Sequence, residues 1–445
     1  MRMLNSVEKA WLYIGEKGSA NAIRCFRVSG PLRFPLVEKC FNAMLDVFPI
    51  LSARIVREDS FEYFKHSRNK PTVVHRYGDF GSQEIAALVE NLLNRPIDPR
   101  LEPLIEFVFL ESPVDEHWIV VNSHHAISDG STKVAFMNHF LKLCDASLES
   151  AEAFQSRISS LKAVQEWSPS LTRGFPQQGV VAKYSGLLSF MTRRMIKEAT
   201  HCCVRVDSRK HAASRMSRVL QYRWDAQFVE LLRRIGKVQG LTVHALFCAA
   251  LMKAFKSARF PADRTTDISC ISFVNMRNQC VPAISERAIG CYISAAFTFH
   301  HVNESSSLLA LAKDLSVQLN EASLRDVKQQ AAYASLMARA MLAIGRRTVA
   351  TLSVSNIGKV TQPLTSKKFR VTEAHVHSAL TGIGSNLSVG LTTIDEIFAV
   401  DFTFVEGTIT HHEVARIADL TRELLKNHLQ SEPRTYPKSG EIEVH

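Results

Sequence analysis

The sequence predicts an α/β protein of two matched halves, and three observations carry that expectation. Segments with helically spaced apolar residues alternate with short strand-like runs in both halves of the chain. A stretch from about Ser168 to Ser217 loses clear periodicity and gains Pro, Gly, Ser and basic residues, as a crossover does. The 445 residues, 46% hydrophobic and 22% charged, have the composition of a soluble globular protein and suffice for a large core. The expected organisation is an N-terminal subdomain over 1–167, a basic crossover linker over 168–217 and a C-terminal subdomain over 218–445.

In the first half, Val37, Cys40, Phe41, Met44, Leu45 and Phe48 recur at helical spacing, and Pro35 suits a first-turn position. Strands are expected at Leu104–Leu110 and Trp118–Ser123, parted by the polar turn Glu111 to Glu116. A helix starting near Ser131 carries Val134, Phe136, Met137, Phe140 and Leu141. The second half opens with a helix from about Asp225. The next helix is capped by Thr242 and bears the stripe Val243, Leu246, Phe247, Ala250, Leu251, Ala254 and Phe255. Strands are expected at Asp267–Asn275, Ser294–His300, Val371–Val376, Leu387–Thr392 and Ile397–Phe404. The last helix begins at the capping box Thr410 to Glu413.

Composition excludes several classes. No apolar run approaches the roughly 20 residues of a spanning helix, and the N-terminus lacks a signal-peptide core, so no transmembrane segment and a cytoplasmic location are expected. Nine scattered cysteines without a CxxC pair support neither a zinc ribbon nor a disulfide framework. The net charge of +11 is partly local, with Lys183, Arg193, Arg194, Lys197, Arg205, Arg209, Lys210, Arg215 and Arg218 facing only Glu198 and Asp207. Without aromatic interleaving or a known motif, nucleic acid is not an expected partner. The cluster reads either as a solvated linker or as a landing patch for an anionic partner such as a nucleotide phosphate or an acidic carrier protein.

The chemistry-bearing string is His124-His-Ala-Ile-Ser-Asp-Gly130, an HHxxxDG motif leaving the second strand. A histidine with a pKa near its reference value of about 6.5 takes a proton from an alcohol or amine at neutral pH. Adjacent side chains at a strand end point to opposite faces, so one histidine can face a cleft while the other packs inward. The motif alone does not say which. Gly130 removes a side chain beside the cleft and permits a tight turn. Asp129 either orients a histidine or pairs with a distant arginine; Arg277, at the end of a second-half strand, is the best candidate. The spacing lacks HExxH and no third ligand cluster is evident, so no metal is expected. The pairs His300-His301 and His411-His412, which lack Asp-Gly, show that doubled histidines alone carry little weight.

With these residues in view, the chain resembles the acyltransferase superfamily related to chloramphenicol acetyltransferase. That group includes peptide-synthetase condensation domains, plant BAHD and alcohol acyltransferases, wax ester synthases and polyketide-associated acyltransferases. Further segments agree in order: Phe48–Arg54, Pro96–Leu104, Gly240–Ala250, the stretch with Arg277, Pro282, Gly290 and Tyr292, and Ser353–Gly358. The BAHD Asp-Phe-Gly-Trp-Gly box is absent, and no adenylation or carrier domain is attached, which points to a stand-alone member.

The resemblance implies two chloramphenicol-acetyltransferase-like α/β sandwich domains with an active-site tunnel between them. It implies His125 as general base, Asp129 paired with Arg277, and His124 and Gly130 shaping the loop. Ser355 and Asn356 are candidate oxyanion donors or tunnel-lining residues, with a purely structural turn as the alternative. The implied reaction moves an acyl group from an acyl-CoA or acyl carrier protein thioester to a small-molecule hydroxyl, with no permanently bound cofactor. The alternatives are a free-standing condensation enzyme that forms an amide with an amine acceptor, and a non-catalytic binding protein of the same fold.

Overall fold

Both faces of the first half's sheet are covered, which is why its strands read as near-continuous apolar runs instead of alternating ones. The computed structural model describes residues 1–162, 169–171, 180–205, 216–344, 348–360, 366–380 and 384–431. The first half runs through β1 (Arg2–Met3), α1 (Ser6–Gly15), β2 (Asn21–Ser29), α2 (Phe34–Val47), β3 (Ala53–Glu58), β4 (Phe61–His66), β5 (Val73–Tyr77), α3 (Ser82–Asn94), β6 (Ile105–Glu111), β7 (Glu116–His124), α4 (Gly130–Glu149), α5 (Ala151–Lys162) and α6 (Val180–Thr200). The second continues through β8 (Ser217–Asp225), α7 (Ala226–Val238), α8 (Val243–Arg259), β9 (Thr266–Asn275), β10 (Ile293–Val302), α9 (Leu308–Arg325), α10 (Val327–Ile344), β11 (Ala350–Lys359), β12 (Arg370–Ser378), β13 (Ser385–Ile394), β14 (Ile397–Val405) and α11 (His411–Ser431).

Three sheets result. A small one has the order β1-β4-β3. The first lobe's five-stranded sheet has the order β12-β2-β7-β6-β5, and the second lobe's six-stranded sheet β10-β9-β11-β13-β14-β8. Alternation sorts the five-stranded sheet's side chains. Phe26, Val28, Phe107 and Phe109 pack with α2 and α4, while Ile23, Cys25, Val108 and Leu110 pack with Ile85, Val89 and Leu92 of α3. In the second lobe α8 lies buried between the sheet and α11; Leu246, Phe247, Leu251 and Phe255 share a core with Ile268, Leu352, Val389, Phe402 and Ile417. The cap expected at Thr242 forms, its Oγ1 accepting from Ala245 N–H at 3.1 Å. The box at Thr410 and Glu413 also closes, with Thr410 N–H donating to Glu413 and Glu413 N–H to Thr410 Oγ1.

Several elements, among them α1, β2, α3, α9 and α10, carry no prediction from the sequence, and three further features bear on the expected crossover and boundary. The aperiodic stretch contains a 21-residue helix, α6, in which Phe190 is buried against Tyr333 and Met337 of α10. Leu188, Met195 and Ile196 remain exposed among basic residues, so no clean apolar stripe marks this helix. Ahead of the helix expected near Asp225 lies an unpredicted strand, β8, which pairs along its length with β14. Most strikingly for the expected boundary at 218, β12 leaves the second half and adds to the first lobe's sheet, with Arg370 opposite Ser29 and Ser378 opposite Ala22. Sheet membership therefore cuts across the division drawn from sequence. Arg209, Lys210 and Arg215 of the basic cluster lie outside the described residues. Among the described residues no single helix is long and apolar enough to cross a membrane.

Candidate active site

The motif loop is held at both ends by backbone. β7 ends at His124, paired with Asn21 of β2, and His125 N–H donates to Ala20 O at 2.8 Å. One short 3-10 turn, His125–Ile127, follows before α4 begins at Gly130. Asp129 is the N-cap of that helix, its Oδ1 accepting from Thr132 N–H at 2.7 Å. A tight strand-to-helix corner thus brings the motif residues together.

The two histidines part. His124 is fully buried, and its Nδ1 accepts from Ala126 N–H at 3.2 Å. Its Nε2 faces the end of α1, where a Cβ on Gly15 would come within 2.7 Å of it. His125 instead lines a cavity of about 240 Å³. Its ring lies flat on Trp11 of α1, with centroids 3.9 Å apart and planes 4° from parallel. Nδ1 of His125 is buried without a hydrogen-bond partner among the described residues, and the backbone of His125 and Ser128 lies close to the ring. Burial pushes this imidazole down to about 4, with the Lys133 cation adding to the effect. The ring is therefore neutral, with a lone pair to offer, at any pH near 7.

Asp129 and Arg277 meet beneath the loop. Arg277 donates from Nη1 to Oδ2 at 3.0 Å and from Nη2 to Oδ1 at 3.2 Å, and both side chains are buried. Tyr292 N–H donates to the same carboxylate at 2.8 Å, and Arg277 also donates to Thr132 Oγ1 at 2.9 Å. Burial alone raises the Asp129 pKa, but Arg277 and the backbone N–H groups outweigh it and hold the carboxyl below its usual range. The pair joins β9's end to α4's start, and so one lobe to the other. Asp129 is spent on this fastening.

Gly130 has an ordinary backbone; its role here is steric. A Cβ at this position would stand 2.3 Å from Ile357 Cδ1. Gly130 borders the cavity, and so does Ser355 of β11. Asn356, one residue on, is not among the lining residues. Its Oδ1 accepts from Gly358 N–H at 2.8 Å at an irregularity in the β11–β13 pairing, which is the turn role held as the alternative.

Sequence reasoning missed three site residues. Trp11 carries no motif and is brought to His125 only by the tertiary fold. Lys133, in α4's first turn, is a lysine among apolar residues, a signal that was available. It is 2% exposed, borders the cavity and donates to Ala22 O at 2.6 Å. Burial pushes it down to about 7, and neighbouring Arg24 adds to the shift. Arg24, also buried, donates to Gly130 O at 3.2 Å and Thr392 Oγ1 at 3.3 Å, and burial pushes it down to about 10. The rest of the cavity is largely apolar, with Ile271, Phe273, Phe297, Met337 and Met341 on its walls. Among the described residues no three His, Cys, Asp or Glu side chains converge as metal ligands.

Residues 213–406 match the family model described as the phthiocerol/phthiodiolone dimycocerosyl transferase C-terminus. Among solved structures, polyketide synthase associated protein 5 from Mycobacterium tuberculosis is 11% identical over 96% of this chain and 98% of its own, with a TM-score of 0.66. The first condensation domain of the calcium-dependent antibiotic synthetase is 14% identical over 97% of each chain, with a TM-score of 0.68. Trichothecene 15-O-acetyltransferase from Fusarium sporotrichioides is 11% identical over 96% of this chain and 95% of its own, with a TM-score of 0.72. At these identities the likeness is one of fold. It extends over both lobes, so the two-lobed α/β architecture is that of the chloramphenicol-acetyltransferase-like proteins.

Proposed function

For a chain whose fold is that of the condensation and acyltransferase superfamily, we propose acyl transfer from a thioester donor to a hydroxyl acceptor, with His125 as general base. One observation carries this reading: a neutral, buried imidazole, braced on Trp11, opens into a cavity shared by the two lobes. With Nδ1 buried, Nε2 is the nitrogen this reading turns to the acceptor.

The steps balance on this chain's residues alone. Nε2 takes the acceptor hydroxyl's proton as that oxygen bonds to the thioester carbonyl carbon. Charge moves to the carbonyl oxygen, for which Ser355, a hydroxyl lining the same cavity, is the donor this reading assigns. The C–O⁻ then re-forms its double bond, the C–S bond breaks, and the departing thiolate takes the proton from Nε2. The base ends as it began and an ester is released. The Asp129–Arg277 pair acts by fixing the loop that carries His125; it does not touch the reacting atoms. The apolar walls around Phe297, Met337 and Met341 suit a hydrocarbon acyl chain.

The test is mass spectrometry of products from a panel of acyl-CoAs and carrier-bound acyl groups offered with pooled alcohols and amines. An ester formed by the wild type and lost in His125→Ala supports the reading. An amide product would assign the free-standing condensation reaction instead. Equal turnover by wild type and His125→Ala would overturn the base assignment.

A further inference from the structure

A second cavity, of about 760 Å³, shares no lining residue with the one at His125. It too is built by both lobes: α4 and α5 on one side, the segment 280–288 on the other. Phe48, Leu161, Pro282 and Ile284 give it an apolar wall, and Arg157 and Arg287 give it charge. Lys142, one turn beyond His139 on α4, is close enough to both arginines to feel their charge. Among the described residues no carboxylate pairs with Arg157, Arg287 or Lys142, and Arg157 Nε is buried without a partner. Cations held together in this way repel one another, and an anion relieves that repulsion.

The remaining polar group narrows the ligand. His139 lines the same cavity, is 5% exposed, and has a buried Nδ1 without a hydrogen bond. Its Nε2 lies 3.1 Å from Arg287 O. A backbone carbonyl only accepts, so Nε2 carries the ring hydrogen and Nδ1 presents a lone pair. The cavity therefore offers guanidinium donors for charged oxygens and, between the same walls, one acceptor that wants a hydroxyl hydrogen. A carboxylate or sulfate satisfies only the first. A phosphate monoester in its monoanionic form satisfies both, with two charged oxygens and one P–OH.

We propose that this inter-lobe cavity binds a phosphate monoester with an apolar body, its phosphate held by Arg157 and Arg287, its P–OH donated to His139, and its body laid against Phe48, Leu161 and Ile284. The site is independent of the acyl-transfer reading, because neither His125 nor any other lining residue of the catalytic cavity takes part.

Isothermal titration of the full chain with octyl phosphate, octyl sulfate and octanol at fixed salt tests it. Octyl phosphate should bind tightest, and octanol should be weaker by roughly tenfold to a hundredfold, the worth of one charge-assisted hydrogen bond or more. The double variant Arg157→Gln/Arg287→Gln should lose that advantage while melting like wild type, since neither arginine has a carboxylate partner among the described residues. His139→Phe should bring octyl phosphate down to the level of octyl sulfate. His125→Ala should bind octyl phosphate as wild type does. Unchanged affinity in the arginine double variant, equal affinity for phosphate and octanol, or loss of binding in His125→Ala would each overturn the assignment. The last outcome would place the probe in the catalytic cavity.

Discussion

Replacing Asp129 with alanine removes a carboxylate that accepts from Arg277 twice, from Thr132 N–H and from Tyr292 N–H. Arg277, fully buried, is then left without its counter-charge. Breaking a buried ion pair from one side costs about 3–5 kcal/mol, and the lost N-cap adds about 1 kcal/mol. The expected loss is thus about 4–6 kcal/mol. At about 2 cal/mol/K of unfolding entropy per residue, a chain of this length unfolding as one unit melts about 4–6 °C lower, and about twice that if only one lobe unfolds cooperatively. The assay is a thermal melt read by circular dichroism, with the double variant Asp129→Ala/Arg277→Met alongside. The double variant removes the orphaned charge, so it should melt above Asp129→Ala. An Asp129→Ala melt indistinguishable from wild type, or a double variant as unstable as the sum of the two single changes, would refute the reasoning.

Four further outcomes follow from the structure. His125→Ala should lower kcat/KM by about 10²–10⁴-fold while leaving the melt near wild type. With the imidazole held at about 4 by burial, the wild-type kcat/KM should stay level from neutral pH downward and fall only as pH drops through about 4; an acid limb near 6.5 would mean a solvated ring. His375 should make stability alkali-sensitive. Burial lowers its pKa, but Asp401 at 2.6 Å and Glu373 at 2.7 Å outweigh burial and raise it to about 9. A folded-state pKa above the unfolded 6.5 gives stability that is complete below pH 6.5 and lost as pH rises through about 9, a swing of about 3 kcal/mol. Buried Lys133, lowered to about 7, works in the opposite direction above pH 7, so the quantity to measure is the wild-type minus His375→Gln difference in denaturant midpoint at pH 6 and pH 9.5. A difference that does not shrink with rising pH would sink that account. Gly130→Ala should cost only about 1 kcal/mol, because the atom its Cβ meets is Cδ1 at the end of the Ile357 side chain, which can turn aside, and Ile357→Val, which removes that atom, should recover most of it; no recovery would place the strain elsewhere.

The parts of the fold visible in the sequence are those whose own residues carry a clear apolar period and a cap. The second-lobe strands at 267–275, 387–392 and 397–404 carry dense apolar runs, and α8 carries an apolar stripe between a Thr cap and Phe260, so period and caps sufficed. Helix α6 is hard to read because Phe190 is the one buried residue among its described side chains, while β8, with Arg218, Gln221 and Arg223 interleaved, resembles the basic stretch before it. At the site, HHxxxDG and Arg277 are residue types with few other uses in such a pattern. Trp11, by contrast, is brought to His125 by the packing of α1 beneath the motif loop, and nothing in its neighbourhood of sequence points there. Lys133 sits two residues past the expected helix start, where a single lysine is ordinarily solvated, so its burial depends on the tertiary fold.

Strand β12 has a consequence for biosynthesis. Its partner β2 leaves the ribosome early, but the segment that covers its outer edge is made only when residue 370 is reached, opposite Ser29. At about 5–20 residues per second, that leaves the edge open for roughly 20 to 70 seconds. During this interval β2, with Ile23, Cys25, Phe26 and Val28 along it, is an apolar strand with free backbone donors and acceptors, the kind of edge that recruits other chains. Truncations ending before residue 370 would make that exposure permanent. The first half is then expected to need β12, made in the last sixth of the chain, or a chaperone standing in for it, to stay out of aggregates.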